Sequence, residues 1–313
     1  MLNRRFLRIK AFQALYSFSR EERADANAFR RRLLSGLEKT YELYLFLLSF
    51  GPEFKQFLVQ EFEMEKAKFI PSDMMKEKYK LLIGNRAVLI LENSVSFNEA
   101  LKTNKVQWSN HQDLFRQIWN ELKNHPMVLD YEKLGKYTLE TDKAFLGNLL
   151  EWLIAEFELF ESFVEDRYAN WEDDQVLVLK TLQKNMQFIK ENSNKVLPEK
   201  HKDEEEDIKF LKDLFDFCVQ HNDELMNLIG AKTKNWDQDR IALVDLILMK
   251  MALCELLYFP FIPVKVTINE YLELAKLYST PNSHSFINGV LDKVQIDLRK
   301  ENKILKLGRG LVD

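Results

Sequence analysis

The stretch 265-KVTINEYLELAKLYSTPNSHSFINGVLDKV-294 decides the fold. Its apolar residues recur at helical spacing on both sides of a polar hinge, Thr280 to Phe286, so it reads as two consecutive helices. The first has a complete start signal: Thr267 as N-cap, Glu270 three residues on, and Val266 with Tyr271 placed as a hydrophobic staple. In the second, Gly289 stands in mid-helix, where it costs about 1 kcal/mol in propensity. Close approach of a neighbouring helix is the expected compensation.

Working outward, the same periodicity continues. Residues Asp237 to Tyr258 are so apolar that they predict a central buried helix, ended by Pro260 and Pro263. Leu7, Ala11, Ala14, Leu15 and Phe18 form a core-facing stripe near the start. Phe29, Leu33, Leu37, Tyr41, Leu45 and Leu48 form another, expected to stop at Gly51-Pro52. With only 9 Gly and 7 Pro in 313 residues, a strand-and-turn protein is excluded and an all-α chain is predicted.

Net charge is −4, which taken alone argues against a nucleic-acid partner. Its distribution argues otherwise. Residues 1–50 hold ten basic and five acidic residues, and 293–309 hold six and two, whereas 140–207 hold eight and eighteen. A polyanion meets the two ends rather than the average. Cys218 and Cys254 form no CxxC, and the five histidines lack metal-ligand spacing, so no disulfide, metal or cofactor is expected. Neither a signal peptide nor an apolar run long enough to span a bilayer is present, and a soluble cytoplasmic protein is expected.

Residues 142–182 align without a gap on 207–247, sharing Asp, Phe-Leu, Leu and Asn-Trp-x-x-Asp at an offset of 65. If this echo is structural, Trp171 and Trp236 each open an equivalent helix. Three segments follow: 1–50, an insertion over 51–205 whose 142–205 part repeats the C-terminal plan, and 206–313.

No P-loop, GxGxxG, GxSxG or HExxH occurs, so an enzyme is not expected. Arg4, Arg5 and Arg8 gather three guanidinium groups at one helix start, and Arg suits phosphate through its two-pronged fork. Phe12 and Tyr16 follow on the same helix. Arginines beside aromatic rings suit unstacked, single-stranded RNA.

Here the residues carry a resemblance. RRFLRIKAFQALYSF (4–18) resembles the first helix of the bacterial transcription antitermination factor NusB family. FLKDLF (210–215), LMKMALCEL (248–256), IPVKVTINEYLELAKLYS (262–279) and SHSFINGVLDK (283–293) resemble the rest of that family in order. The last two are the specific part; typical short members lack the equivalent of 50–205.

The resemblance implies two small helical bundles and an RNA-binding, non-enzymatic factor. It implies contacts to boxA-type RNA, to a small-subunit ribosomal protein (the NusE partner), and through them to the RNA polymerase antitermination complex. Carried over by position, RNA contacts fall to Arg4, Arg5, Arg8, Tyr16, Asn282, Ser283 and Phe286, and protein contacts to Asp245, Lys250 and Glu255. Phe6 interrupts the arginine run of many members, and Asn282 replaces a frequent acidic residue. The rival expectation is an interaction scaffold of the same fold that does not bind RNA, which the acidic balance favours.

Overall fold

Capping side chains set many of the helix starts. Asn3 accepts from the Phe6 amide, Ser72 from Met75, Asn85 from Val88, and Asp203 from Glu206. The computed structural model describes residues 2–70, 72–193, 195–233 and 241–311. In chain order the helices are α1 (Arg4–Arg20), α2 (Ala26–Lys66), α3 (Asp73–Ile83), α4 (Arg86–Glu92), α5 (Val95–Thr103), α6 (Gln112–Leu122), α7 (Pro126–Lys133) and α8 (Leu139–Ala155). They continue as α9 (Glu158–Glu165), α10 (Trp171–Asn185), α11 (Glu204–Gln220), α12 (Asn222–Lys232), α13 (Leu243–Tyr258), α14 (Val264–Tyr278) and α15 (Ser283–Lys300). There is no strand among the described residues; the chain is all-α, as its composition predicts.

Two compact units divide the chain: one spans 38–200, the other joins 2–37 to 201–313. In the second, α13 is the central helix. Its Leu248, Met249, Met251, Ala252, Leu253, Cys254 and Leu256 are all fully buried. α1 packs on α11 and α13, and α14 and α15 also pack against α13. Phe18 meets Phe29 and Phe215 edge-on, fastening the end of α1 to the start of α2 and to α11. Both cysteines are buried and free.

The 38–200 unit is built around the remainder of α2. Phe46 stacks on Trp108 at 4.2 Å, and Phe50 and Phe54 meet Phe160 and Phe115 edge-on. α2 does not stop at Gly51-Pro52 as expected; it runs through Pro52. The proline forfeits one backbone hydrogen bond, a cost of about 3 kcal/mol. Burial of Phe46, Phe50, Phe54 and Phe57 along the same helix outweighs it. Gly51 shows how closely the helix is held: a Cβ there would lie 3.2 Å from Leu146 and 3.3 Å from Val88.

Two further expectations change. α14 begins at Val264, so Thr267 is not its N-cap. The Thr267 hydroxyl instead donates to Glu255 at 2.8 Å, and Glu270 pairs with arginines of α1. Gly289 is exposed, and nothing lies within 4 Å of where a Cβ would stand, so no helix approaches it closely. As for the echo, α8 and α11 are both 17 residues long, their bounds differ by 65, and Asp142 and Asp207 are buried in both. Trp171 opens α10 and is buried, while Trp236 lies outside the described residues.

Candidate nucleic-acid interface

Arg8 and Glu255 meet deep inside the 2–37/201–313 unit. The Arg8 guanidinium donates to both Glu255 carboxylate oxygens, at 2.9 and 2.7 Å, with the two side chains 3% and 0% exposed. Thr267 and the Tyr271 hydroxyl, at 3.1 Å, donate to the same carboxylate. Burial opposes the Arg8 charge, but Glu255 outweighs it and holds the guanidinium above its ordinary pKa. Burial, reinforced by Glu255, also raises the Tyr271 phenol. Every lone pair of a buried carboxylate is thus used, which is what makes burying it tolerable.

Two sequence expectations are corrected by this network. Arg8 cannot reach a phosphate, and Glu255 cannot reach a protein partner, because both are enclosed. A readable signal was present: Glu255 stands in the apolar stripe of α13, and a carboxylate in a core stripe demands a partner.

The outer arginines are also engaged. Arg5 donates to both oxygens of Glu270 at 2.8 and 2.7 Å, and Arg4 lies 3.0 Å from Asp207 and 3.4 Å from Glu206. The Arg5 hydrogen bonds hold the Glu270 carboxyl below its usual range. Arg4 and Arg8 sit over the Phe210 ring, at 4.5 and 5.4 Å. The basic cluster read from the sequence is therefore neutralised by four carboxylates from α11, α13 and α14. Their side chains come from more than 190 positions away, so local sequence could not reveal them.

The hinge between α14 and α15 is fastened from within. Ser279 donates to Asp245 near the start of α13, and the Ser283 hydroxyl lies 3.0 Å from Ser279 and 2.8 Å from Thr280. Asp245 and Ser283 are only 5% and 4% exposed, so both are structural ties rather than surface contacts, another correction. Lys250 is half-buried, donates to Asn222 at 3.0 Å, and has its pKa lowered by burial.

What faces outward is aromatic and polar. Tyr16 and Asn282 are exposed and Phe286 is half-buried. Phe12 bridges the two elements, its ring 6.3 Å from Tyr16 and 5.1 Å from Tyr278. Tyr278 ends α14 immediately before the hinge and was missed by sequence reasoning, since its spacing marks it only as another apolar helix residue. Contacts step in one direction along both helices, Arg5 to Glu270 and Phe12 to Tyr278. This brings the middle of α1 beside the hinge.

The profile of the NusB family matches residues 175–295. Transcription antitermination protein NusB of Finegoldia magna is 46% identical over 99 residues, covering 71% of that relative and 32% of this chain. The chain belongs to the NusB family. The NusB protein of Salinibacter ruber is 41% identical over 103 residues, 64% of its length, and that of Chloroherpeton thalassium 38% over 104 residues, 49% of its length. Similarity to NusB proteins thus spans half to about two thirds of two of these relatives and one third of this longer chain. No solved structure matches the chain. Among the described residues no helix is long and apolar enough to cross a membrane, and no three or more His, Cys, Asp or Glu side chains gather where they could hold a metal ion.

Proposed function

We propose that the protein is a non-enzymatic transcription antitermination factor that binds single-stranded, boxA-type RNA of ribosomal transcripts together with a small-subunit ribosomal protein. One observation carries the reading: in a NusB-family chain, Phe12 and Tyr278 bring the aromatic face of α1 to the Thr280–Phe286 hinge. Tyr16 and Phe286 supply rings on which bases stack, and Asn282 supplies donors and acceptors for a base edge. Arg4 and Arg5 reach phosphate only by exchange with Asp207, Glu206 and Glu270, so their electrostatic share is small. On α13, Lys250 is the one of the three expected partner contacts whose side chain reaches solvent.

The test is fluorescence anisotropy of a labelled boxA-type RNA, with and without the ribosomal protein. Tyr16→Ala is expected to cost about 1–3 kcal/mol of binding with an unchanged salt slope. Arg5→Ala is expected to lower the slope of log affinity against log salt by less than the ~0.7 of a full single-strand phosphate contact. Absence of RNA binding under both conditions overturns the proposal. It then leaves the second reading, an interaction scaffold, which the neutralised arginines favour.

A further inference from the structure

An open groove of about 620 Å³ lies between α7 and α8, wholly within the 38–200 unit. Leu134, Phe145 and Trp152 form its apolar wall, and Leu134 is half exposed. His125 lies against the Trp152 ring at 5.2 Å and so fixes one end of that wall. The groove follows α8 from Thr141 to Ala155, a run of about 20 Å at 1.5 Å per residue, which matches three to four turns of a helix. Exposed Ala144 lies along its course, leaving room for a second helix to approach.

Charge selects the occupant. The groove is lined by Asp130, Glu151 and Glu156 and by no Lys or Arg. Asp130 is paired with Lys133, but Glu151 accepts only from the neutral Gln183, and no cation pairs with Glu156 among the described residues. Residues 126–165 as a whole hold nine acidic and three basic residues, so the surroundings reinforce the rim. Such a rim repels phosphate and attracts Lys and Arg flanking an apolar ridge.

We infer that this groove docks a basic amphipathic helix of a protein partner, an apolar ridge against Leu134 and Trp152 and its cations over Glu151 and Glu156. This is helix-in-groove recognition, and it stands independently of the RNA reading.

The experiment titrates the full-length protein into a fluorescein-labelled 16-residue helical peptide with a Leu/Ala ridge flanked by Lys. Two control peptides are a scramble of equal composition and the same ridge flanked by Glu. The amphipathic Lys peptide is expected to bind at least tenfold more tightly than either control. Ala144→Trp, which fills the groove from an exposed position, is expected to weaken it at least tenfold. Glu151→Gln combined with Glu156→Gln is expected to weaken it at least fivefold, while Glu77→Gln, which does not line the groove, leaves it unchanged. Thermal melts establish that each variant is folded. No binding of the Lys peptide, equal binding of its scramble, or wild-type affinity in both groove variants overturns the inference.

Discussion

Arg5 and Arg8 stand nearly one turn apart on α1, share Glu270, and are expected to differ sharply in worth. Removing Arg8 strands the Glu255 carboxylate where no water reaches it, so Arg8→Ala is expected to cost about 3–5 kcal/mol in urea unfolding. Arg5 is 47% exposed, and Arg5→Ala is expected to cost less than about 1 kcal/mol. A cost for Arg8→Ala as small as that for Arg5→Ala would falsify the buried network. Glu270 adds a pH signature. Its folded pKa lies below its unfolded value, so the unfolded chain binds more protons as pH falls, and the stabilisation is present above about 4.5 and lost through the depressed pKa. Melting temperatures of wild type and Glu270→Gln are therefore expected to differ near neutrality and converge in acid. Gly289, exposed and unopposed in α15, gives the opposite sign: Gly289→Ala is expected to stabilise by about 1 kcal/mol in the same urea assay. The arginine cluster itself was legible in the sequence. Its burial was not, because exposure depends on acids that only the fold brings near.

Helix existence was readable where an apolar stripe is long, as in α1, α13, α14 and α15, because burial of one face dominates local propensity. Helix ends were less so. Thr267-Ile-Asn-Glu270 satisfies the pattern of a helix start, yet Thr267 and Glu270 are bound to Glu255 and Arg5, partners the pattern cannot contain. Gly51-Pro52 satisfies the pattern of a stop, yet α2 crosses it with aromatic side chains buried on both sides. The close contact at Gly51 gives that account a test. Leu146 and Val88 already stand at the limit for a single added carbon, so Gly51→Val is expected to overpack the site and cost about 1–3 kcal/mol. Unchanged or increased stability in urea unfolding would mean that α2 is not pinned there by α4 and α8.

At the scale of the whole chain, the 38–200 unit begins and ends at one place. Glu38 and Lys200 form an ion pair at 2.6 Å, so the two ends of this unit are neighbours. Among the described residues, the large core around α2 draws only on residues between Tyr41 and Leu197. The ties of α1, Arg4 to Asp207 and Arg8 to Glu255, and the pair Arg30 to Asp216 near the start of α2, lie wholly within 2–37 and 201–313. Closing a short loop costs little, since loop entropy grows only slowly with length. A chain in which a six-residue Gly/Ser linker joins Leu37 to His201 is therefore expected to fold by itself, helical by circular dichroism and with a single cooperative urea transition. Arg8→Ala in that shortened chain is expected to cost the same about 3–5 kcal/mol as in the full one, because every donor to Glu255 is retained. On the proposed reading it also keeps the RNA affinity of the full chain while losing the basic-peptide site, whose groove lies entirely in the excised part. A non-cooperative transition would mean that the NusB-type unit depends on residues 38–200 for its packing.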